Sequence, residues 1–387
     1  MPNCKSVYDP QEDSTVLECY VRRYSKGKFL DVGTGSGIQA IAAALNPSVN
    51  SVLATDIQKE VIDYCRKNIK NRKIKFMQSE LFSKVKGKFD AISFNPPYLP
   101  QQNELLDIEL EGGKKGYEVI EKFLYNVNDF LNPNGIILMS FSSLTKKEKV
   151  EEFIKNNLLD FEELEKLHIF FEDIYVYMLM KNDLLKKLEN DGITKIKYFA
   201  KGHRGFLFTG NYKSKKVVIK AKNPSSMAFG RIENESKWLQ KLNKFGIGPN
   251  LLYSNKDYFV YEFIDGDFII DYIKKSNKNN IKKLIKEVFI QMHKLDKMKV
   301  DKEEMHHPLK HVIISQNKPY LIDFERMRYT NDPKNVTQFC QFVTGGHAAA
   351  LLSEKGINLD KNKVIGLAKI YKSRMSAGNL KKIICLL

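Results

Sequence analysis

Residues 90–100, DAISFNPPYLP, place an amide, two prolines and a tyrosine directly after an alternating apolar run. Proline fixes φ near about −65° and has no backbone N–H, so Pro96 and Pro97 predict a stiff turn. The carbonyl groups of such a turn are left free to accept hydrogen bonds from another molecule. The stretch therefore predicts a binding site for a group with N–H or O–H donors, at the end of a strand.

A glycine-rich turn earlier in the chain predicts a second ligand-binding feature. From residue 27 the sequence reads GKFLDVGTGSGIQAIAAAL, a short apolar strand, a turn, and then small apolar residues at helical spacing. Gly33, Gly35 and Gly37 let the backbone turn sharply and let a ligand approach without meeting a Cβ atom. Asp31 is expected to end the strand with its side chain in the cleft. The pattern indicates a βα unit with a ligand-sized turn.

Acidic residues end the next two predicted strands. SVLATDI ends in Asp56, about twenty residues beyond the glycines, where a carboxylate can bind both hydroxyls of a ribose. IKFMQSELF places Glu80 within reach of an adenine amino group. Because the carboxyl ends of parallel strands meet at one edge of a sheet, these ends and the strand before Asn95 are expected to form one nucleoside-binding crevice.

The order of these motifs resembles the class I S-adenosylmethionine-dependent methyltransferases that act on planar amino groups. The resemblance implies a seven-stranded, Rossmann-like α/β domain that binds S-adenosylmethionine and is closed by an antiparallel pair at FEELEKL and HIFFEDIYVYMLMK. It also implies that the Asn95 side-chain carbonyl and the Pro96 backbone carbonyl accept both hydrogens of the target NH₂ group, while Tyr98 packs on the planar group. Catalysis of this kind is mostly positioning.

Three flanking stretches resemble the release factor glutamine methyltransferases of the archaeal and eukaryotic type. They are the N-terminal VYDPQEDSTVL, the segment DIELEGGKKGYEVIEKFL, and SSLT at 142–145. Asp31 and Glu80 stand where that family often has Glu and Asp, and both exchanges preserve the charge. The residues that the resemblance assigns to the cofactor are Ser14, Asp31, Gly33, Gly35, Asp56, Glu80, Leu81 and Asn95.

The resemblance also implies a protein substrate and a partner. The expected reaction is methyl transfer to the glutamine side chain of a GGQ tripeptide in a translation release factor, with a small zinc-binding activator covering an apolar edge of the domain. Relatives in this group also modify lysine, and an adenine-N6 nucleic-acid methyltransferase is the alternative. A formal charge of +17 suits an RNA or ribosome contact, although scattered lysines of this kind are also typical of solvated helix faces.

A second series of predicted strands and loops begins at residue 193, and it resembles a small atypical kinase of the RIO and KEOPS-complex kind. ITKIKYFAKGHRGFLFTGNYKSKKVVIKAKNP predicts three strands with a Gly-x-x-Gly loop, Gly202 and Gly205, and with Lys220 ending the third strand. Glu235, on a following helix, is placed to pair with Lys220. Asp323, in an Ile-Asp-Phe context, would hold Mg²⁺. The resemblance implies a small α+β domain that binds ATP with Mg²⁺ through these side chains.

The catalytic loop of such a kinase is matched less closely. In KEEMHHPLKHVII, Glu304 is the candidate base, Lys310 a phosphate-neutralising residue and His311 a substitute for the usual asparagine, at a longer spacing. The adjacent His306 and His307 lack a third spaced ligand, which is more typical of surface residues than of a metal site. Phosphoryl transfer, ATP hydrolysis, and nucleotide binding without chemistry, as a gated adaptor, all stay open.

Length and composition set the organisation of the chain. A chain of 387 residues is too long for one ordinary core. The motifs predict a methyltransferase domain over 1–182, a linker over 183–192, a kinase-like domain over 193–345 and a helical tail over 346–387. The five cysteines show no disulfide or zinc spacing. Because the sequence shows no apolar run of about 20 residues and no signal peptide, a cytoplasmic protein without membrane contact is expected.

Overall fold

A computed structural model describes residues 12–99, 112–169, 171–201, 205–222 and 231–387. These residues divide into two compact units. The first extends to Tyr198 and includes Gly210–Lys213, and the second contains Phe199–Thr209 and Ser214–Leu387. Among the described residues, no helix has both the length and the apolar character needed to cross a membrane.

Strands and helices alternate through most of the first unit. A short 3₁₀ turn at Ser143–Thr145 follows the fifth strand, and a helix occupies most of the segment predicted as a linker, with Leu185 and Leu188 buried. The elements are α1 Glu12–Tyr24, β1 Gly27–Val32, α2 Ile38–Leu45, β2 Val49–Asp56, α3 Lys59–Asn68, β3 Ile74–Gln78, β4 Phe89–Phe94, α4 Glu118–Val127, β5 Leu131–Ser142, α5 Lys147–Asn156, β6 Leu159–Ile169, β7 Glu172–Lys181 and α6 Asp183–Asn190.

The strands of the first unit form one seven-stranded sheet in the order β3-β2-β1-β4-β5-β7-β6. Strands β1 to β5 pair in parallel, whereas β7 is antiparallel to both β5 and β6. The predicted seven-stranded sheet and its antiparallel closing pair are therefore confirmed. Because β1 to β4 run in the same direction, the residues that follow them meet at one edge of the sheet.

Both faces of this sheet are covered, which explains why apolar residues of its central strands are buried on both faces. Leu30 and Val32 of β1 pack in a core with Phe123 of α4, whereas Phe29, on the opposite face of the strand, packs in a separate core with the alanines of α2. Successive strand residues point to opposite faces, so this burial fixes the register of β1 and the point at which its glycine turn begins.

The second unit contains most of a five-stranded sheet and a helical region, while residues 193–198 and 210–212 of the sheet are counted with the first unit. The sheet comprises β8 Ile193–Lys201, β9 Gly205–Tyr212, β10 Lys215–Lys222, β11 Leu251–Ser254 and β12 Tyr258–Glu262, in the order β11-β12-β10-β9-β8. Strand β10 pairs antiparallel with β12, as does β11. Helix α7, Arg231–Asn243, lies between β10 and β11 in the chain. The strands and the helix expected around Lys220 and Glu235 are therefore present.

The rest of the second unit is mainly helical, and the segment predicted as a helical tail is part of its core. Leu352, Val364, Tyr371 and Leu380 of that segment are buried in the core of the unit. The elements are β13 Asp267–Phe268, α8 Ile269–Lys275, α9 Lys278–Lys297, β14 Val300–Asp301, a 3₁₀ turn at Pro308–Lys310, β15 Val312–Ser315, β16 Lys318–Leu321, β17 Arg328–Tyr329, α10 Asn335–Val343, α11 Gly346–Glu354, α12 Lys361–Ser373 and α13 Ala377–Ile384.

Candidate active site

A cavity of about 380 Å³ opens at the carboxyl edge of the seven-stranded sheet. Residues that follow β1, β2, β3 and β4 line it, together with residues of the first turn of α1. The four strand ends expected to converge do meet at this cavity. The candidate residues in its lining are Ser14, Gly33, Gly35, Asp56, Glu80, Leu81, Asn95, Pro96 and Tyr98.

The glycine turn is held in place by Asp56. Gly33 and Gly35 have φ values of 66° and 51°, in the left-handed region that favours glycine. One carboxylate oxygen of Asp56 accepts a hydrogen bond from the Gly35 N–H at 3.0 Å, and the other accepts one from the Gln58 N–H at 3.0 Å. Burial raises the pKa of the Asp56 carboxyl group. Asp56 therefore both shapes the turn and lines the cavity.

Asp31 is placed differently from the expectation that it points into the cleft. Its side chain is 1% exposed and does not contribute to the cavity lining described above. The carboxylate accepts hydrogen bonds from Thr34 Oγ1 at 2.6 Å and from Ser93 Oγ at 2.7 Å. Burial raises the pKa of Asp31 to about 6, against the effect of the two hydroxyl donors. Asp31 thus supports the glycine turn through Thr34.

The side-chain amide of Asn95 is bound at both ends. Its Nδ2 donates to Asp13 Oδ2 at 3.0 Å and to Ser14 Oγ at 3.0 Å. Its Oδ1 accepts a hydrogen bond from Ser140 Oγ at 2.6 Å. Asn95 follows β4, Ser140 lies near the end of β5, and the other two residues lie in the first turn of α1. Three elements therefore hold this amide in the cavity wall.

Gly112, downstream of the Asn-Pro-Pro-Tyr turn, packs closely against this turn. The Gly112 N–H donates to the Leu99 carbonyl at 2.9 Å. A Cβ atom on Gly112 would overlap the backbone carbonyl oxygens of Pro97 and Gly116. This close approach explains the need for glycine at Gly112. Residues 107–111 of the predicted acidic segment and residues 7–11 of the N-terminal segment lie outside the described residues.

Sequence reasoning missed four polar residues that belong to this site. Asp13 and Glu172 line the cavity, as does Lys122 of α4. Ser140 reaches the site only through Asn95. Asp13 is adjacent to the predicted Ser14, and Ser140 is a polar residue in the apolar run IILMSFS, so both carried a signal in the sequence.

In the second unit, the predicted ion pair between β10 and α7 is present. Lys220 Nζ lies 2.6 Å from Glu235 Oε2 and 3.5 Å from Asp323 Oδ1. Burial acts to lower the pKa of Lys220, but the two carboxylates outweigh it, so the pKa is raised. Asp323 has φ of 61°. The three residues assigned to nucleotide and metal are therefore brought together, while Gly202 lies outside the described residues.

Glu304 also lies near this cluster. Its carboxylate pairs with Arg326 and lies 2.9 Å from His311 Nε2, while His311 Nδ1 is 3.8 Å from Asp323 Oδ2. Burial lowers the pKa of His311. The 3₁₀ turn that contains Lys310 lies between Glu304 and His311 in the chain.

Lys302 is a further member of the cluster that the sequence did not reveal. It is 2% exposed, and its Nζ donates to the backbone carbonyls of Ile322 at 2.8 Å and Asp323 at 2.5 Å. Burial lowers the pKa of Lys302 to about 8. His306 and His307 are exposed and stack edge to face. In the described part of the chain, no group of three or more His, Cys, Asp or Glu side chains could hold a metal ion.

Comparison with known proteins identifies relatives of the first unit. Residues 11–170 match the family model described as Methyltransferase small domain. A candidate protein N5-glutamine methyltransferase from Methanocaldococcus jannaschii is 32% identical over 177 residues, which cover 44% of this chain and 89% of that protein. A release factor glutamine methyltransferase from Streptococcus pneumoniae is 31% identical over 122 residues, covering 28% of this chain and 44% of that protein. The match thus spans less than half of the bacterial relative.

Solved structures align more distantly. The E. cuniculi Mtq2–Trm112 complex, responsible for the methylation of the eRF1 translation termination factor, aligns with a TM-score of 0.38 and 22% identity. This alignment covers 46% of this chain and 99% of that chain.

Proposed function

We propose that this chain, which belongs to the methyltransferase small domain family, transfers a methyl group from S-adenosylmethionine to the side-chain amide of a glutamine residue in a protein. The observation that carries the proposal is the amide of Asn95, which is fixed at both ends in the wall of the cavity. A planar NH₂ group is the complement of its oxygen and of the neighbouring Pro96 carbonyl.

The chemical character of the residues that line the cavity fits S-adenosylmethionine. Ser36 Oγ lines it and has no hydrogen-bond partner among the described residues although it is buried, so a ligand can satisfy this hydroxyl. Leu81 gives the lining an apolar surface, and the carboxylates of Asp56 and Glu80 in the same lining can accept hydrogen bonds from a ribose and an adenine. When bound, the cofactor supplies an electrophilic methyl group on a sulfonium centre. The residues proposed to hold it are Ser14, Gly33, Gly35, Asp56, Glu80 and Leu81, while Asn95 borders the cofactor and orients the acceptor, and Asp31 supports the glycine turn.

The acceptor amide is positioned by three residues of the Asn-Pro-Pro-Tyr turn. Asn95 Oδ1 and the Pro96 carbonyl accept the two N–H groups of the target, and Tyr98 packs against its plane. With both hydrogens held, the nitrogen would be directed towards the methyl donor. It would take the methyl group as the C–S bond of the sulfonium breaks and a neutral thioether leaves, and the amide would release one proton to water. Fixing reactants in this way can supply most of a rate enhancement without a general base.

The proposed substrate is the GGQ glutamine of a translation release factor. Support comes from the relative named a release factor glutamine methyltransferase and from the flanking segments that resemble that family. A release factor substrate places the activity in the cytoplasm. The proposal includes a small zinc-binding activator protein as a partner, and the charge of +17 supports a contact with RNA or the ribosome.

A methyl-transfer assay tests this function. The full chain is incubated with labelled S-adenosylmethionine and a GGQ-containing release factor, with and without a zinc-binding activator. Label is expected on the wild-type factor and not on its Gln→Ala variant. Asn95→Ala is expected to abolish transfer while cofactor affinity stays within about twofold, because the residue orients the acceptor. Label on added RNA or DNA and none on the factor would overturn the proposal in favour of an adenine-N6 methyltransferase.

A second activity is proposed for the second unit, namely ATP binding with Mg²⁺ in a kinase-like site. The observation that favours it is the buried Lys220–Glu235 pair with Asp323 at 3.5 Å from the lysine. In a kinase, such a lysine contacts the nucleotide phosphates and such an aspartate holds the metal. Glu304 is the proposed base for phosphoryl transfer.

Two lysines of β10 provide a matched test of nucleotide binding. Lys220→Met is expected to remove Mg-ATP binding, because the charge that faces the phosphates is lost. Lys215→Met removes a lysine of the same strand that is 66% exposed and paired with Glu262 of β12, and binding is expected to persist. Equal affinity in all three proteins would contradict a nucleotide site at Lys220. Phosphoryl transfer that falls in Glu304→Gln would indicate a kinase, whereas binding without transfer would indicate a nucleotide-gated adaptor.

A further inference from the structure

We propose that Asp13 and Ser140 are positioning residues that fix the orientation of the Asn95 side-chain amide for methyl transfer. This inference rests on the proposed function in one respect, the amide acceptor that Asn95 would orient. It goes beyond that function because neither residue belongs to the predicted cofactor or acceptor set. Both residues are buried, Asp13 at 4% exposure and Ser140 at 0%.

The orientation of an asparagine amide decides what it can recognise. Its oxygen accepts hydrogen bonds and its nitrogen donates them, while the two ends have nearly the same shape. If Asn95 were rotated by a half turn about its last bond, it would present an NH₂ group where an acceptor NH₂ must bind. Donor would then face donor, and the target nitrogen would lose the contact that directs it.

Asp13 is the residue that makes the two orientations unequal. An ionised carboxylate only accepts hydrogen bonds, whereas the hydroxyls of Ser14 and Ser140 can donate or accept. With Nδ2 of Asn95 at 3.0 Å from Asp13 Oδ2, the observed orientation makes a charge-assisted hydrogen bond. The opposite orientation would place Asn95 Oδ1 against the carboxylate. Ser14 and Ser140 can adapt to either orientation, so Asp13 sets the direction.

Ser140 binds the oxygen end of the Asn95 amide. Its hydroxyl donates to Asn95 Oδ1 at 2.6 Å, which uses one of the two lone pairs of that oxygen. The other lone pair is left for the substrate N–H. Because Ser140 is on β5 and Asp13 on α1, the amide is held from two different elements, and its position does not depend on the Asn-Pro-Pro-Tyr turn alone.

Loss of either partner should therefore affect turnover more than binding. A misdirected amide still leaves the acceptor pocket open, but it directs the nitrogen less well towards the methyl group. For Ser140→Ala, kcat is expected to fall about tenfold, with KM for the acceptor and Kd for the cofactor within about twofold. Asp13→Ala is expected to lower kcat by about 100-fold. Asp13→Asn should retain more turnover than Asp13→Ala, because the new carbonyl can still accept from Nδ2.

The orientation of the Asn95 amide can be tested on the full chain without any acceptor, through hydrogen exchange of its NH₂ group. With ¹⁵N-asparagine labelling, the Asn95 NH₂ signal is identified by its absence in Asn95→Ala, and its hydrogen exchange is measured by NMR. Asp13→Ala is expected to raise the exchange rate about tenfold or more. Ser142→Ala is the matched control, because Ser142 lies two residues further along β5 and donates to Glu172 instead. This variant should leave the Asn95 exchange rate unchanged.

The outcomes separate the two proposals. Unchanged Asn95 exchange in Asp13→Ala, or a raised KM with unchanged kcat in Ser140→Ala, would overturn the positioning role. Faster exchange in Asp13→Ala, with no transfer to any GGQ factor by the wild-type chain, would support the orientation of Asn95 and overturn the proposed substrate instead. Faster exchange together with the loss of kcat supports both.

Discussion

Replacing Asp31 with asparagine is expected to stabilise the first unit at neutral pH. The carboxylate is buried, and among the described residues the side-chain groups that donate hydrogen bonds to it are two hydroxyls, those of Thr34 and Ser93. An asparagine has nearly the same shape and carries no charge. Its oxygen can accept from one hydroxyl, and the other hydroxyl can rotate to accept from the new NH₂ group. The substitution therefore removes a buried charge without leaving either hydroxyl unpaired.

The size of the effect follows from the pKa of Asp31. Burial raises this pKa from 3.8 to about 6, so the folded unit binds the proton more tightly than the unfolded chain does. Stability conferred by this group is therefore largest at low pH and is lost as the pH rises from about 4 to about 6. A difference of about two pH units corresponds to about 3 kcal/mol in the free energy of unfolding at pH 7. Asp31→Asn should recover much of this amount at pH 7 and only about 1 kcal/mol near pH 4.5.

Hydrogen exchange measured at rising urea concentrations tests this prediction unit by unit. Amides of β1 report the free energy of unfolding of the first unit, and the fluorescence of Trp238, the single tryptophan, reports the second unit as an internal control. The gain should appear in β1 and not in the Trp238 signal. A loss of stability at neutral pH, or a gain that is equal at pH 4.5 and pH 7.5, would refute the reasoning that burial of the charge dominates at Asp31.

Four further substitutions, one of them a control, test other parts of the structure. Lys181→Met should lower the free energy of unfolding of the first unit by about 3 kcal/mol in the same exchange experiment, because buried Lys181 Nζ lies 2.6 Å from Glu189 Oε1 and also donates to two backbone carbonyls. Lys88→Met is the control, because Lys88 is exposed and its Nζ lies 3.9 Å from the same carboxylate oxygen. This variant should change the free energy of unfolding of the first unit by less than about 0.5 kcal/mol. Gly112→Ala should lower kcat for methyl transfer by about 100-fold with little change in equilibrium cofactor binding, because the added methyl group displaces the Asn-Pro-Pro-Tyr turn. Asp296→Asn should lower the free energy of unfolding of the second unit by about 2 kcal/mol, measured in a urea titration followed by tryptophan fluorescence. The reason is that the new NH₂ group would face N–H and O–H donors, which now donate hydrogen bonds to the carboxylate.

The overall arrangement of the first unit could be predicted because its signals are local. A glycine turn after an apolar strand, and acidic residues at the ends of the next two strands, each occupy a short stretch of sequence. The general rule that parallel strands bring their carboxyl ends to one edge then converts this order into a crevice. Asp56, Glu80 and Asn95 line one cavity for that reason.

The placement of Asp31 could not be predicted in the same way. Its position at the end of β1 is a local property, but the direction of its carboxylate depends on where the hydroxyls of Thr34 and Ser93 lie. Ser93 belongs to β4, which pairs with β1 across sixty-two positions of sequence. Only the register of that pairing reveals that the carboxylate binds these hydroxyls instead of lining the cavity.

The contact between Asn95 and Ser140 depends on register too, yet it was open to a partial prediction. Strands β4 and β5 pair up to Phe94 and Met139, so the next residues along the two strands are Asn95 and Ser140. The number of residues between the strands does not fix this register, because β5 is the longer strand and its pairing with β4 shifts near its start. A buried strand as apolar as IILMSFS, however, leaves a serine hydroxyl in need of a partner. The strand neighbour that carries a functional amide is the partner expected on these grounds, so a polar residue near the end of an otherwise apolar central strand is itself a sign of a site beside it.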